Sequence, residues 1–245
     1  MGYPSRWICR FCELVTQSIE EIRCFFILFH WDIMNPMLDQ KNFTIVDIES
    51  TGGSPFFSRI IEVGLIRVQR GEIVEEFQTL INPGVEIPDF ITKMTGISAN
   101  HLVGKPTFED ISEELLSKFE DSIFVAHNVN FDYGFLKEEF RRAGLSFNVD
   151  RLCTVRLSRA LYKEHKLHNL SAIIERYNFE CKNRHRAFDD AKVLWDFLQL
   201  SQRQIEPQEF NKGLLKALTK TRAVKPQLVI DELTYESDPG DSLAI

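Results

Sequence analysis

The chain has 245 residues, 44% of them hydrophobic and 27% charged, with a formal net charge of −7. That composition suits one globular domain with extensions and excludes collagenous, low-complexity and disulfide-scaffold classes. The longest apolar run, residues 24–31, is far short of the roughly 20 residues that cross a bilayer and lacks a signal cleavage region. With five cysteines, an odd count, a cytoplasmic protein in a reducing compartment with no membrane partner is expected.

Residues 1–40 read as an N-terminal extension. Phe11, Leu14, Val15, Ile19, Ile22, Phe25 and Phe26 fall on one stripe of an amphipathic helix. Cys9, Cys12, Cys24 and His30 have irregular spacing for a zinc site, and buried cysteines on a helix are the simpler reading. Met34 or Met37 is an alternative native start.

Residues 41–203 have the density of a folded domain. Residues 43–48 and 60–68 read as strands, and a turn at Gly71-Glu72 leads into a third over 73–81, which Pro83 ends. Helix 107–119 opens on Thr107 with Asp110 three residues on and buries Phe108, Ile111, Leu115 and Phe119. A strand at 122–126 precedes a helix at 131–143, capped by Asn130 and stopped by Gly144. A strand at 149–153 and helices at 170–177 and 187–200 follow, with His168 and Asn169 read as a helix cap. Three hairpin-linked strands and then alternating helix and strand give an α/β domain with a mixed central sheet flanked by helices. Residues 204–245 read as a C-terminal tail or linker that ends in acids.

Several side chains in this frame carry chemistry. Asp47 and Glu49 end the first strand on one face, where unpaired carboxylates are costly unless a hard cation binds them. Asp132 sits in the first turn of its helix, where the helix dipole favours the anion. Asp190 shares an inward helix face with Ala187, Ala191 and Leu194, whereas Asp189 is one step off it. His185 precedes that helix, and its ordinary pKa of roughly 6.5 suits a general base. Each motif alone is equally served by a surface acid or a satisfied histidine. Residues 150–186 hold nine Lys or Arg against four acids, a candidate phosphate-facing surface inside an acidic chain.

Together these residues resemble the DEDDh exonuclease family. Residues 43–52 (FTIVDIESTG) are similar to its first motif, with Ser50 where Thr is usual. His127-Asn128 through Phe131-Asp132 resembles the second and residues 185–191 (HRAFDDA) the third. Met94-Thr95-Gly96-Ile97-Ser98 resembles a further segment. The likeness covers about residues 41–200 and is closest to the proofreading epsilon subunits of bacterial DNA polymerase III. It implies an RNase H-like fold and two Mg²⁺ or Mn²⁺ ions. It implies that Asp47 bridges both ions, that Glu49 and Asp190 complete one site, that Asp132 helps hold the other, and that His185 is the base. Ser50, Thr51 and Gly52, with His127 and Asn128, would contact the substrate, a DNA 3′ end. Phe56 and Phe57 are read either as core aromatics beside the strand, the commoner case, or as groups that stack on or wedge terminal bases. RNA trimming and a non-catalytic nucleic-acid-binding module are the alternatives. A DNA polymerase, or a sliding clamp read from residues 227–231, would be the protein partner.

Overall fold

The computed structural model describes residues 37–221. The predicted N-terminal helix, the Cys9 to His30 spacing, Met34 and residues 227–231 lie outside them.

Six strands form one sheet in the order β3-β2-β1-β4-β5-β6. They are β1 Phe43–Ser50, β2 Ile60–Gln69, β3 Glu72–Leu80, β4 Ile123–Ala126, β5 Arg151–Cys153 and β6 Leu218–Thr219. β2 runs antiparallel to both β1 and β3, β4 and β5 run parallel to β1, and β6 returns antiparallel. The helices are α1 Met37–Gln40, α2 Asp89–Thr95, α3 Ala99–Leu102, α4 Phe108–Ser117, α5 Asn130–Arg142, α6 Thr154–Leu161, α7 Leu170–Tyr177, α8 Ala187–Gln204 and α9 Pro207–Ala217. This is the expected mixed sheet flanked by helices.

Central β1 is covered on both faces, which explains its nearly continuous apolar run. On one face, Ile45 and Ile66 pack with Leu194, Phe197 and Leu198 of α8 and with Phe210 and Leu214 of α9. On the other, Val46 and Phe124 pack with an aromatic set from α4, α5 and the chain between them and β5. There Phe108 meets Phe140 edge-on at 5.1 Å, and Phe119 meets Phe147 at 5.0 Å.

The close fit of α8 on β2 depends on Gly64. A Cβ there would lie 2.2 Å from the backbone nitrogen of Phe188 and 2.4 Å from the carbonyl carbon of Ala187. Gly64 stands opposite Asp47 in the β1–β2 register, and Glu62 stands opposite Glu49. The contact that seats α8 therefore lies beside the strand that carries the acids.

Four expectations are corrected. Residues 204–221, expected to be tail, belong to the domain: α9 buries Phe210, Leu214 and Ala217, and β6 pairs with β5. The Nη2 of Arg156 donates to the Lys216 carbonyl at 2.6 Å, fixing that connection. The 1–40 boundary also moves, because Leu38 of α1 is fully buried and Met37 N donates to Asn211 Oδ1 at 2.9 Å. The hairpin turn is Arg70-Gly71, both with positive φ (51° and 80°), so it lies one residue earlier. Finally, α5 begins at Asn130 itself. The left-handed turn residue is Asn128 (φ 63°), and no side chain caps the helix. Thr107 and Asn169 cap their helices as expected.

Gly64→Ala drives a methyl into backbone that cannot yield cheaply, at a cost of about 1–3 kcal/mol or more. The melting temperature should fall by about 4–10 °C, measured by thermal denaturation. An unchanged melting temperature would show that α8 is not tightly seated there.

Candidate active site

Asp47, Glu49, Asp132, His185 and Asp190 all line one cleft of about 400 Å³. Strand β1 supplies the first pair, with a bulge between Glu49 and Ser50 that ends regular pairing beyond the acids. The first turn of α5 supplies Asp132, and the first turn of α8 supplies Asp190. Both helix N-termini thus point partial positive charge at carboxylates. Ligand atoms of Glu49, His185 and Asp190 all lie within 4.8 Å of one another, a spacing that can hold a metal ion.

Crowding is written into the protonation of these acids. Burial raises Asp47 well above the usual carboxylate range, and Asp132, Asp190 and Glu49 raise it further. Burial, then Asp190 and Glu62, push Glu49 to about 8. Burial also pushes Asp132 to about 8, against the pull of the backbone N–H groups of Asp132 and Ile48. Asp190 is raised by burial, although Arg184 and His185 oppose it. His185 is held below its ordinary value by burial and by Arg184, so its imidazole is neutral at neutral pH. Its backbone takes a positive φ of 64°, which turns the loop into α8.

The expected substrate residues divide. Ser50, Gly52, His127 and Asn128 line the cleft, whereas Thr51 is buried and does not. Thr51 Oγ1 instead accepts from Arg59 N at 2.9 Å, and Ser50 Oγ donates to the Gly52 carbonyl at 2.7 Å. These side chains shape the loop after β1. His127 is half-buried and neutral, with burial lowering its pKa to about 4. Its Nδ1 meets Thr154 Oγ1 at 2.9 Å, and its Nε2 has no partner among the described residues. Phe56 and Phe57 do not line this cleft.

Several contributors were not anticipated. Arg184 forms an ion pair with Asp190 and is the one Lys or Arg among the described residues lining the cleft. Cys181 Sγ lies 3.7 Å from Asp190 Oδ1. Burial raises that thiol to about 11, so it is protonated at neutral pH. Phe90 and Met94 of α2 and Phe131 of α5 give the cleft an apolar wall. Glu62, fully buried on β2, accepts from Arg186 Nη2 at 2.7 Å and from the Ala187 backbone N–H at 3.0 Å. It thereby anchors the start of α8, and a glutamate inside an otherwise apolar strand was the legible signal for it. Arg184, Arg186 and Arg156 are thus committed to partners within the fold. Part of the basic stretch over 150–186 is therefore internal wiring, while Arg159, Lys163, Lys166 and Lys182 are exposed.

A mixed α/β domain whose central strand and two helix N-termini bring acids to one cleft has the build of a nucleic-acid hydrolase. Residues 44–198 match the family model described as Exonuclease (RNase_T), and the chain belongs to that family. It carries a 3′–5′ exonuclease domain similar to those of bacterial DNA polymerase III. The epsilon subunit of Aquifex aeolicus is 38% identical over 161 residues, which are 65% of this chain and 80% of that protein. The PolC-type polymerase of Caldanaerobacter subterraneus subsp. tengcongensis is 37% identical over 154 residues, 63% of this chain. This chain spans only 11% of that relative's length. In fold, it is similar to Escherichia coli exonuclease I in complex with a dT13 oligonucleotide, with a TM-score of 0.63 and 18% identity over 70% of this chain and 43% of that one. It is also similar to exonuclease X in complex with 5′ overhanging duplex DNA, with a TM-score of 0.53 and 23% identity over 70% of this chain and 99% of that one.

The raised carboxylates fix a pH dependence. Folded Glu49 and Asp132 retain protons between their ordinary values near 4 and about 8, whereas the unfolded chain has lost them. Stability in EDTA should therefore fall as pH rises through that window, and Asp132→Asn should flatten the fall. Thermal melts at pH 5, 7 and 8.5 check this. A rise in stability across the same range would contradict the crowding.

Proposed function

We propose that this chain removes nucleotides one at a time from DNA 3′ ends, using two Mg²⁺ or Mn²⁺ ions held by Asp47, Glu49, Asp132 and Asp190. One observation carries the reading: four carboxylates from β1, α5 and α8 meet in one cleft beside a neutral histidine. Such a cluster is costly to bury without a cation. All-oxygen carboxylate ligands favour hard ions, and the Cys181 thiol stays protonated. Bound there, divalent cations acidify the attacking water and stabilise charge on the scissile phosphate and the leaving 3′ oxygen.

The protein's own groups do the remaining work. His185 takes the proton from the attacking water, whose oxygen bonds to phosphorus as the bond to the 3′ oxygen breaks. A proton passes to that oxygen, so the products are a nucleoside 5′-monophosphate and a strand one residue shorter. Phe90, Met94 and Phe131 form the apolar wall against which terminal bases rest. The neutral His127 lines the same cleft. Arg184 holds Asp190 through a charge-assisted contact, so a cation and Arg184 compete for that carboxylate. The relatives with DNA polymerase names favour DNA over RNA and a proofreading or repair setting with a polymerase as partner.

A primer–template with a 3′ mismatch and a 5′ label should shorten as a ladder in Mg²⁺ or Mn²⁺, and EDTA or Asp47→Ala should stop it. His185→Ala should lower kcat by about 10²- to 10⁴-fold and leave DNA binding in place. Matched RNA strands in parallel decide the substrate. Shortening that persists in EDTA would defeat the two-cation reading.

A further inference from the structure

Arg184 lies on residues 178–186, the segment between α7 and α8, and its guanidinium pairs with Asp190. Burial sets the larger shift in each neighbour, yet the Arg184 charge also draws Asp47, Glu49 and Asp190 down and favours the neutral forms of His127 and His185. One positive group is thus felt by three of the four acids and by both histidines of the cleft. Among the described residues, no other Lys or Arg lines that cleft.

The backbone around Arg184 is fixed. Asn183 donates to Asp189 Oδ2 from its backbone N at 3.1 Å and from its Nδ2 at 2.9 Å. Two residues after Arg184, Arg186 is held by buried Glu62 at 2.7 Å. The Arg184 side chain is less committed. Its Nη1 donates to Asp190 Oδ2, whereas its Nε is buried with no acceptor among the described residues. A guanidinium built only as a strut for Asp190 would satisfy that inner donor as well, because a buried bond left unmade is costly. The side chain is 32% exposed on a long flexible stem, so it can swing while the backbone stays.

We infer that Arg184 works in two positions: it pairs with Asp190 until cations bind, and then turns to the scissile phosphate and steadies the charge that grows there. The inference rests on the exonuclease reading. Asp190 cannot serve a guanidinium and a divalent cation equally, because the two positive groups repel at that spacing. Two divalent cations would neutralise the four carboxylates, which removes the acid partner of Arg184. A phosphodiester then brings a fresh negative charge into the cleft, and its non-bridging oxygens suit the planar fork of a guanidinium. The same residue thereby eases the repulsion among the acids before loading and serves the reaction after it.

The test titrates the full chain with Mn²⁺ without nucleic acid, reading free Mn²⁺ by paramagnetic resonance, for wild-type, Arg184→Gln and Arg184→Lys chains. Arg184→Gln should tighten Mn²⁺ binding about tenfold, because the competing charge is gone. With saturating Mn²⁺ and a 5′-labelled DNA strand, the same variant should lower kcat about 10²-fold. Arg184→Lys keeps a charge without the fork and should fall between wild type and Arg184→Gln in both readings. It carries the test alone if thermal melts show that Arg184→Gln does not fold. Weaker Mn²⁺ binding together with a lower kcat would make Arg184 a fixed support of Asp190 and overturn the inference. Tighter binding with an unchanged kcat would send the displaced side chain into water and overturn its second position. If the wild-type chain cleaves neither DNA nor RNA, the exonuclease reading fails, and the Mn²⁺ titration alone decides the first position.

Discussion

Mutual repulsion among buried carboxylates is the constraint on which this structure depends. Two unit charges 4 Å apart interact by about 4 kcal/mol at the effective dielectric near a protein surface. Four such groups in one cleft oppose their own assembly: burial raises all four acids, and repulsion from neighbouring carboxylates raises Asp47 and Glu49 further. The rest of the fold supplies rigidity against it. Strand β1 is pinned on both faces, Gly64 lets α8 sit against β2, and Glu62 ties Arg186 and the first N–H of α8 to the sheet. Two helix N-termini and Arg184 then offset part of the negative charge.

This arrangement joins stability to chemistry. A cluster built to hold cations remains a liability until they arrive, so the supporting contacts must be stronger than the site needs once it is loaded. His185 is kept neutral by the same burial that penalises the acids, and Arg184 reinforces that effect while steadying Asp190. The proposed base and the proposed ligands thus share one electrostatic environment. The loop after β1 extends the arrangement outward, because Glu139 and Arg142 couple it to the helix that bears Asp132.

Much of this was legible in the sequence, for identifiable reasons. The i, i+2 spacing of Asp47 and Glu49 survives any error in strand ends, and Asp132 and Asp190 are fixed by helix starts that the apolar stripes mark well. What escaped depends on tertiary contact. Gly213 lies in the stretch expected to be tail, yet a Cβ there would meet Leu161 Cδ2 at 2.5 Å, so it is a packing residue of α9. Glu62 looks like a stray acid in an apolar strand until Arg186, 124 positions away, reaches it. Arg184 and Arg186 raised the local basic count, but partners elsewhere in the chain decide where their charge goes. Thr51 belongs to the first motif by position, and its hydroxyl is taken by the backbone of Arg59.

The most direct test is calorimetric titration of the full chain with Mn²⁺ at pH 7 in buffers of different ionisation enthalpy. The account predicts two ions bound per chain, with protons released as they bind, because Glu49 and Asp132 titrate near 8 in the folded protein and must ionise to serve as ligands. Asp132→Asn should reduce both the proton release and the number of ions. Binding without proton release, or no binding, would contradict the claim that these carboxylates form one crowded cluster made for cations.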